Sequence, residues 1–375
     1  MHPSYAEINL SKLKSNFYNI RKKTKNVKIM GVVKADAYGH GMTETARFLN
    51  SLGKKAPEYF AVAFPDEGII LRKANIKKPI LVFEPFVKDQ VEDLYKYNLI
   101  ATVFSEKHLK ILKDGYKKHG NGKTKKIKVH IKIDTGMNRL GIYHSSALDF
   151  IRRVSEDKIF EIDGIYTHFA NSEEKDKSFP RLQTKRLIEL IDSLKQNKIK
   201  YGLVHAANSG AVLDLPEAYF DMVRPGILMF GYYPSKTTTR SIKLDPVMSI
   251  ISHVSSIKLL RKGDTVGYGR NFLAKKDTNI ISVPLGYADG FYRALSGKAK
   301  AIIKGKFYPQ IGNVSMDRIT FDIGNDKIKL GERVTIIGKD NKQEITAWDW
   351  CDILDTIPYE IICGFKNRIE RVYKG

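Results

Sequence analysis

Eight runs of apolar and β-branched residues punctuate the first part of the chain, at 27–34, 59–64, 79–83, 101–105, 126–134, 162–169, 203–208 and 222–228. Runs of this kind, bounded by turn residues, predict buried strands. Between most of them apolar residues recur three and four positions apart, at 42–52, 66–74, 88–97, 105–116, 147–155 and 183–196, which predicts helices with one buried face. The link between the last two runs, through Pro216, is the least regular. Strand–helix alternation requires parallel strands, and eight repeats predict a TIM-type (β/α)8 barrel. A long open sheet is the alternative, but no Gly-rich dinucleotide turn follows the first strand.

From about Asp245 the rhythm changes. Segments 250–260, 279–284, 299–303, 318–323 and 332–338 carry β-branched residues between Gly- and Lys-rich turns, and one helical stretch follows at 347–354. The expected fold class is therefore α/β plus β: a barrel over 1–240, then a mainly-β domain over 241–375. Pro234 and the threonines at 237–239 mark the linker, and a short strand near 5–10 is a candidate to join the second domain.

Charge adds a question. The 375 residues include 64 Lys and Arg against 41 Asp and Glu, a net charge of +23, which invites a nucleic-acid or anionic-membrane partner. The basic residues are instead spread along lysine-rich helical faces, as at 11–25 and 113–128, with no zinc-finger spacing, RNA-binding signature or basic tail. A solvated surface is the expectation, with no nucleic acid and no membrane as partner. The two cysteines, Cys351 and Cys363, make no disulfide framework or CxxC metal site, so no metal is expected. A secretory leader and an apolar run of membrane-spanning length are both lacking, so a soluble, cytoplasmic protein is expected.

A barrel gathers its chemistry at the carboxyl ends of its strands. There the predicted strands place Lys34, Lys132, Asp134, Arg139, His168, Asn208, Ser209 and Arg224-Pro225-Gly226. Each alone reads as ordinary loop polarity; a shared face makes a joint accident less plausible. Lys34 ends an apolar run in Val32-Val33-Lys34-Ala35-Asp36-Ala37-Tyr38-Gly39-His40-Gly41. An amine half desolvated in this way can lose its proton and attack an aldehyde, as pyridoxal phosphate (PLP) chemistry requires.

Nine segments together resemble the alanine racemase family, in the family's order: residues 34–41, Asp134-Thr135-Gly136-Met137-Asn138-Arg139-Leu140-Gly141, Thr167-His168-Phe169-Ala170, Ala207-Asn208-Ser209, Arg224-Pro225-Gly226-Ile227, Gly267-Tyr268-Gly269-Arg270, Gly286-Tyr287-Ala288-Asp289-Gly290, Ser315-Met316-Asp317 and Ile357-Pro358-Tyr359-Glu360. The resemblance implies that Lys34 holds PLP covalently and serves as the base on one face of the substrate. Tyr268, from the other subunit of a homodimer, would be the base on the opposite face. Tyrosine ionises far above neutral pH, so that role needs a supporting environment, which the resemblance assigns to His168 linked to Arg224. Arg224 would donate to the pyridine nitrogen without surrendering its proton, keeping the ring a weak electron sink.

By the same resemblance Tyr38, Asn208, Ser209, Gly226, Ile227 and Tyr359 hold the cofactor, chiefly its phosphate. Arg139 meets the cofactor's phenolic oxygen or the substrate carboxylate, the Met316 backbone holds that carboxylate from the partner, and Tyr287 lines the entrance. Lys132 stands where the family can carry a carbamate. Two departures are visible: Ser315 in place of a common cysteine, and Asn138 in place of a common glycine. The implied function is interconversion of L- and D-alanine, supplying D-alanine for peptidoglycan. A preference for serine or several small amino acids, and a non-catalytic PLP-binding protein, are the alternatives.

Overall fold

The computed structural model describes residues 3–119, 126–366 and 368–375, so part of the lysine-rich stretch at 113–128 lies outside the described residues. The chain opens with β1 (Tyr5–Asn9) and a helix over Leu10–Thr24. The Asn9 side chain caps that helix by accepting the Lys12 N–H, and Leu13, Phe17 and Ile20 form its buried stripe. Then come β2 (Lys28–Val32), β3 (Tyr59–Val62), β4 (Ile80–Val82), β5 (Ile100–Val103) and β6 (Ile127–Asp134). A two-residue β7 (Ile142–Tyr143) pairs with β6, and β8 (Phe160–Tyr166), β9 (Leu203–His205) and β10 (Met222–Val223) follow.

Eight of these strands run parallel in the order β10-β2-β3-β4-β5-β6-β8-β9. Hydrogen bonds from the Asp221 N–H to the Val204 carbonyl and from the Arg224 N–H to the Ala207 carbonyl bring the two ends of that path together. The barrel expectation holds and the open sheet does not. β3 and β4 are short and apolar, with Phe60, Ala61, Val62, Ile80 and Leu81 all buried, as a sheet covered on both faces requires.

The rest of the chain builds a second sheet from β11 (Met248–His253), β12 (Ser256–Leu260), β13 (Thr278–Val283), β14 (Lys300–Ile303), β15 (Lys306–Ile311), β16 (Ile319–Gly324), β17 (Arg333–Asp340), β18 (Gln343–Ile345) and β19 (Glu370–Lys374). Its order is β12-β13-β16-β15-β14-β17-β11-β1-β19, with β18 on β17. β1 therefore lies in this sheet, antiparallel to β11 and parallel to β19.

Several boundaries differ from the sequence reading. The run at 222–228 is a strand only over Met222–Val223; Pro225 has no N–H to donate, and Ile227–Phe230 forms a 3-10 turn. Segment 250–260 is two strands, because the chain turns at Val254 and Ser255, whose N–H groups bond Glu332 and Ser282. The helix expected at 183–196 starts at Ser178, where the Asp176 carboxylate accepts the Ser178 N–H. β15, β19 and the short helices over Ser209–Asp214 and Pro358–Gly364 were not anticipated.

Candidate active site

Lys34 stands half-buried just beyond β2, at the carboxyl end of the barrel. The next four residues, Ala35 to Tyr38, all have φ between 53° and 55°, a left-handed turn built without glycine. For L-residues this conformation costs about 1–2 kcal/mol each, so the surroundings must hold it. Within the turn, the Ala37 and Gly39 N–H groups bond the Val33 and Ala35 carbonyls at 2.9 and 3.0 Å. The Glu67 carboxylate accepts the Ala35 N–H at 2.6 Å. The buried His40 donates from Nδ1 toward the Ala37 and Tyr38 carbonyls at 3.1 and 3.0 Å. From β19, the Arg371 Nε donates to the Gly39 carbonyl at 3.0 Å and the Tyr373 hydroxyl to the His40 carbonyl at 3.2 Å.

The turn delivers Tyr38 to a cradle. Its ring lies 5.2 Å from Phe230 and 5.9 Å from Tyr359, centroid to centroid. The Gly226 N–H donates to the Ser209 hydroxyl at 3.0 Å. A Cβ at residue 226 would lie 2.2 Å from the Tyr38 hydroxyl oxygen, so only glycine leaves the phenol in place. Asn208 shapes the same corner, its Oδ1 accepting the Ala211 N–H at 3.1 Å and the Ser172 hydroxyl at 2.7 Å. Burial pushes both phenols, Tyr38 and Tyr359, well above their ordinary range, so they remain protonated donors. Two phenols, a serine hydroxyl and the backbone at Gly226 and Ile227 form a donor set suited to a phosphate dianion, and the residues fit PLP.

Arg224, beyond β10, is 4% exposed. One guanidinium nitrogen donates to His205 Nδ1 at 2.9 Å; the other donates to the Thr167 and Ala206 carbonyls at 2.8 and 3.0 Å and to His168 Nδ1 at 3.3 Å. Burial lowers its pKa only to about 10, which leaves it cationic at neutral pH. Burial, reinforced by the Arg224 charge, holds His168 neutral. Its Nδ1 accepts from arginine, so Nε2 carries the proton.

Lys132 is buried near the end of β6, with its ammonium 5.6 Å from the Tyr166 ring centroid. Burial, then the charges of Arg139 and Arg224, lowers its pKa to about 8. The loop that follows is fixed by the Asp134 carboxylate, which accepts the Gly136 and Asn138 N–H groups at 2.9 and 3.1 Å. Asn138 sits at φ 56°, the left-handed region that asparagine tolerates better than most residues. The exposed Arg139 follows directly.

The remaining predicted residues gather elsewhere. Tyr268, Tyr287 and Met316 are 76, 44 and 52% exposed. The loop at 313–316 joins them: Asn313 Nδ2 donates to the Tyr268 carbonyl at 2.8 Å, while the Tyr287 and Ala288 N–H groups bond the Ser315 and Met316 carbonyls, each at 3.1 Å. The Ser315 hydroxyl donates to the Arg318 carbonyl at 2.9 Å, closing the turn from within. Among the described residues no hydrogen bond or ring contact links Tyr268 to the barrel mouth of its own chain.

The sequence reading missed His40, Arg371 and Tyr373 around the lysine turn, and His205, His130 and Asp163 behind Arg224. A signal existed for one of them. Lys128, His130 and Lys132 alternate within a strand predicted to be buried, and alternate residues share one face.

The chain matches the family models "Alanine racemase, N-terminal domain" over 8–234 and "Alanine racemase, C-terminal domain" over 247–373. It is 38% identical to an alanine racemase of Carboxydothermus hydrogenoformans over 375 residues, covering all of both chains. A solved alanine racemase of Clostridium difficile 630 superposes with TM-score 0.92 at 35% identity, covering 99% of this chain and 96% of that one. The alanine racemase of Bacillus anthracis with bound L-Ala-P superposes with TM-score 0.91 at 31% identity, over 100% and 96% of the respective chains. With both domains matched and the likeness running from end to end, the chain belongs to the alanine racemase family.

Proposed function

We propose that the chain is a PLP-dependent alanine racemase, and that its working form is a homodimer with composite sites. The observation carrying this reading is the convergence of Lys34, the Tyr38–Ser209–Gly226 cradle and the buried Arg224 cation on one barrel mouth. PLP, when bound, withdraws electrons from the α-carbon and so acidifies the α-hydrogen. Lys34 would hold the cofactor and move the α-proton on one face of the substrate. Tyr268, reaching from the partner, would move it on the other. Racemisation requires both faces, and each acid–base group contributes about 10²–10⁴-fold.

The supporting residues follow from their settings. Tyr38, Tyr359, Ser209 and the Gly226 and Ile227 backbone would hold the phosphate, with Asn208 shaping the corner. Arg224 would present a donor that keeps its proton to the cofactor's ring nitrogen. His168, neutral and protonated on Nε2, would offer Tyr268 a hydrogen bond rather than a charge. Arg139 would bind a phenolic or carboxylate oxygen, the Met316 backbone the substrate carboxylate, and Tyr287 would border the entrance. Lys132, with its lowered pKa, has the neutral fraction that carbamate formation needs; plain ammonium density in a high-resolution map would remove that role. Among the described residues no helix is long and apolar enough to cross a membrane. A cytoplasmic enzyme supplying D-alanine for peptidoglycan is the cellular role proposed.

The test is α-proton exchange and chiral analysis of L- and D-alanine in D2O, with serine in parallel, for the PLP-loaded protein and Tyr268→Phe. Racemisation in both directions, lost by about 10²-fold or more in the variant, is expected. Faster turnover of serine would keep the mechanism and change the substrate. PLP binding without exchange on any amino acid would replace this reading with that of a carrier.

A further inference from the structure

The interior of a (β/α)8 barrel is ordinarily filled by branched apolar side chains. Here a chain of polar groups runs through it. On β6, Lys128, His130 and Lys132 share one face, and His130 is fully buried. Its imidazole is admitted because residue 164 on the neighbouring β8 is glycine; a Cβ there would lie 2.6 Å from His130 Cε1. One residue earlier on β8, the Asp163 carboxylate accepts from Lys128 Nζ at 2.6 Å, the Tyr59 hydroxyl at 3.0 Å and His130 Nε2 at 3.2 Å. His130 Nδ1 lies 2.9 Å from His205 Nε2, and His205 Nδ1 meets Arg224 at 2.9 Å. The Tyr166 ring stacks on His205, 4.9 Å away and inclined by 3°, which fixes that imidazole's plane.

The proton positions follow from one end. Burial alone would raise the Asp163 carboxyl, but the hydrogen bonds from His130 and Lys128 outweigh it and hold the group well below the usual carboxylate range. Asp163 is therefore an acceptor only, and His130 must carry its proton on Nε2. Burial keeps both imidazoles neutral, so His130 Nδ1 is an acceptor. His205 must then be protonated on Nε2, which leaves its Nδ1 to accept from Arg224. Every proton in the chain points toward Asp163. Arginine is a poor proton carrier, so the chain orients rather than conducts.

We propose that Asp163 and His130 are positioning residues for Arg224: the carboxylate dictates, through two neutral imidazoles, the His205 tautomer that fixes the guanidinium. The inference rests on the assignment of Arg224 to the cofactor, although the proton pattern itself does not. Asp163→Asn tests the direction of the chain. The Lys128 ammonium would claim the amide oxygen, turning the amide NH2 toward His130 Nε2. Both imidazoles would then move their protons to Nδ1, and His205 would present N–H to the N–H of Arg224. Adding Lys128→Met frees the amide to turn its oxygen back to His130.

The experiment is neutron diffraction from holoenzyme crystals, with racemisation kinetics on the same proteins. The parent is expected to carry hydrogen on Nε2 of both His130 and His205. Asp163→Asn should move both to Nδ1 and lower kcat by about 10- to 100-fold, with much less change in KM. The Lys128→Met/Asp163→Asn pair should restore the parental protons and most of kcat. Hydrogen on Nδ1 of either imidazole in the parent would overturn the proposal without any variant having to fold. Unchanged tautomers in Asp163→Asn, or reversed tautomers with unchanged kcat, would also overturn it. Failure of the parent to racemise would instead count against the reading of Arg224 as a cofactor ligand.

Discussion

The two groups of predicted site residues are held in different ways. At the barrel mouth, side chains are locked by other side chains: Arg224 makes four hydrogen bonds, and the turn bearing Lys34 is clamped from Glu67, His40, Arg371 and Tyr373. On the second domain, Tyr268, Tyr287 and Met316 are fixed through their backbones by the 313–316 loop, and their side chains face outward. The first group is organised within a single chain. The second has its backbone set and its side chains exposed, an arrangement the proposed homodimer would use to complete a neighbour's site.

The largest test of this contrast is at Arg224. Arg224→Glu leaves the Thr167 and Ala206 carbonyls without their donor and sets a carboxylate against the acceptor Nδ1 of His205. Racemisation is expected to fall by about 10²-fold or more. If the Arg224 donor keeps the cofactor's ring nitrogen uncharged, as proposed, the ratio of transamination to racemisation should rise, measured as pyruvate formed per D-alanine. An unchanged ratio would contradict the role given to Arg224. A smaller effect is expected at Gly226. The Cβ of Gly226→Ala would meet the Tyr38 hydroxyl, so PLP should bind about tenfold more weakly, about 1.4 kcal/mol, with little change in kcat at saturation. PLP titration followed by absorbance checks this, and an unaltered Kd would remove Tyr38 from the cradle.

Much of the barrel was legible because its signal is local. Eight apolar runs between helical spacings leave few other solutions, and strand ends place Lys34, His168, Ser209 and Arg224 on one face. What escaped was set by distant pairing. β19 is one case: it exists as a strand through parallel pairing with β1, which joins residues 370–374 to residues 5–9 at the other end of the chain. The left-handed turn after Lys34 is invisible to propensity, since Ala35 to Tyr38 contain no glycine; clamps from Arg371 and Tyr373 stabilise it. The polar chain behind Arg224 was missed because a buried histidine in a strand reads as core until its partners are known. The Asn138 departure resolves locally: asparagine takes the left-handed conformation a glycine would take, and the Asp134 carboxylate still organises the loop.

The central claim is that each working site draws on two copies of the chain, and mixing inactive variants tests it most directly. Lys34→Ala and Tyr268→Phe proteins would be prepared separately, unfolded or dissociated together, reassembled with PLP and assayed for alanine racemisation. If Tyr268 serves the partner's barrel, each mixed dimer holds one intact site, and an equal mixture should recover about a quarter of parental activity. If Tyr268 serves its own chain, no assembly contains an intact site. Activity would then stay at the sum of the two variants, and the composite-site account would be wrong.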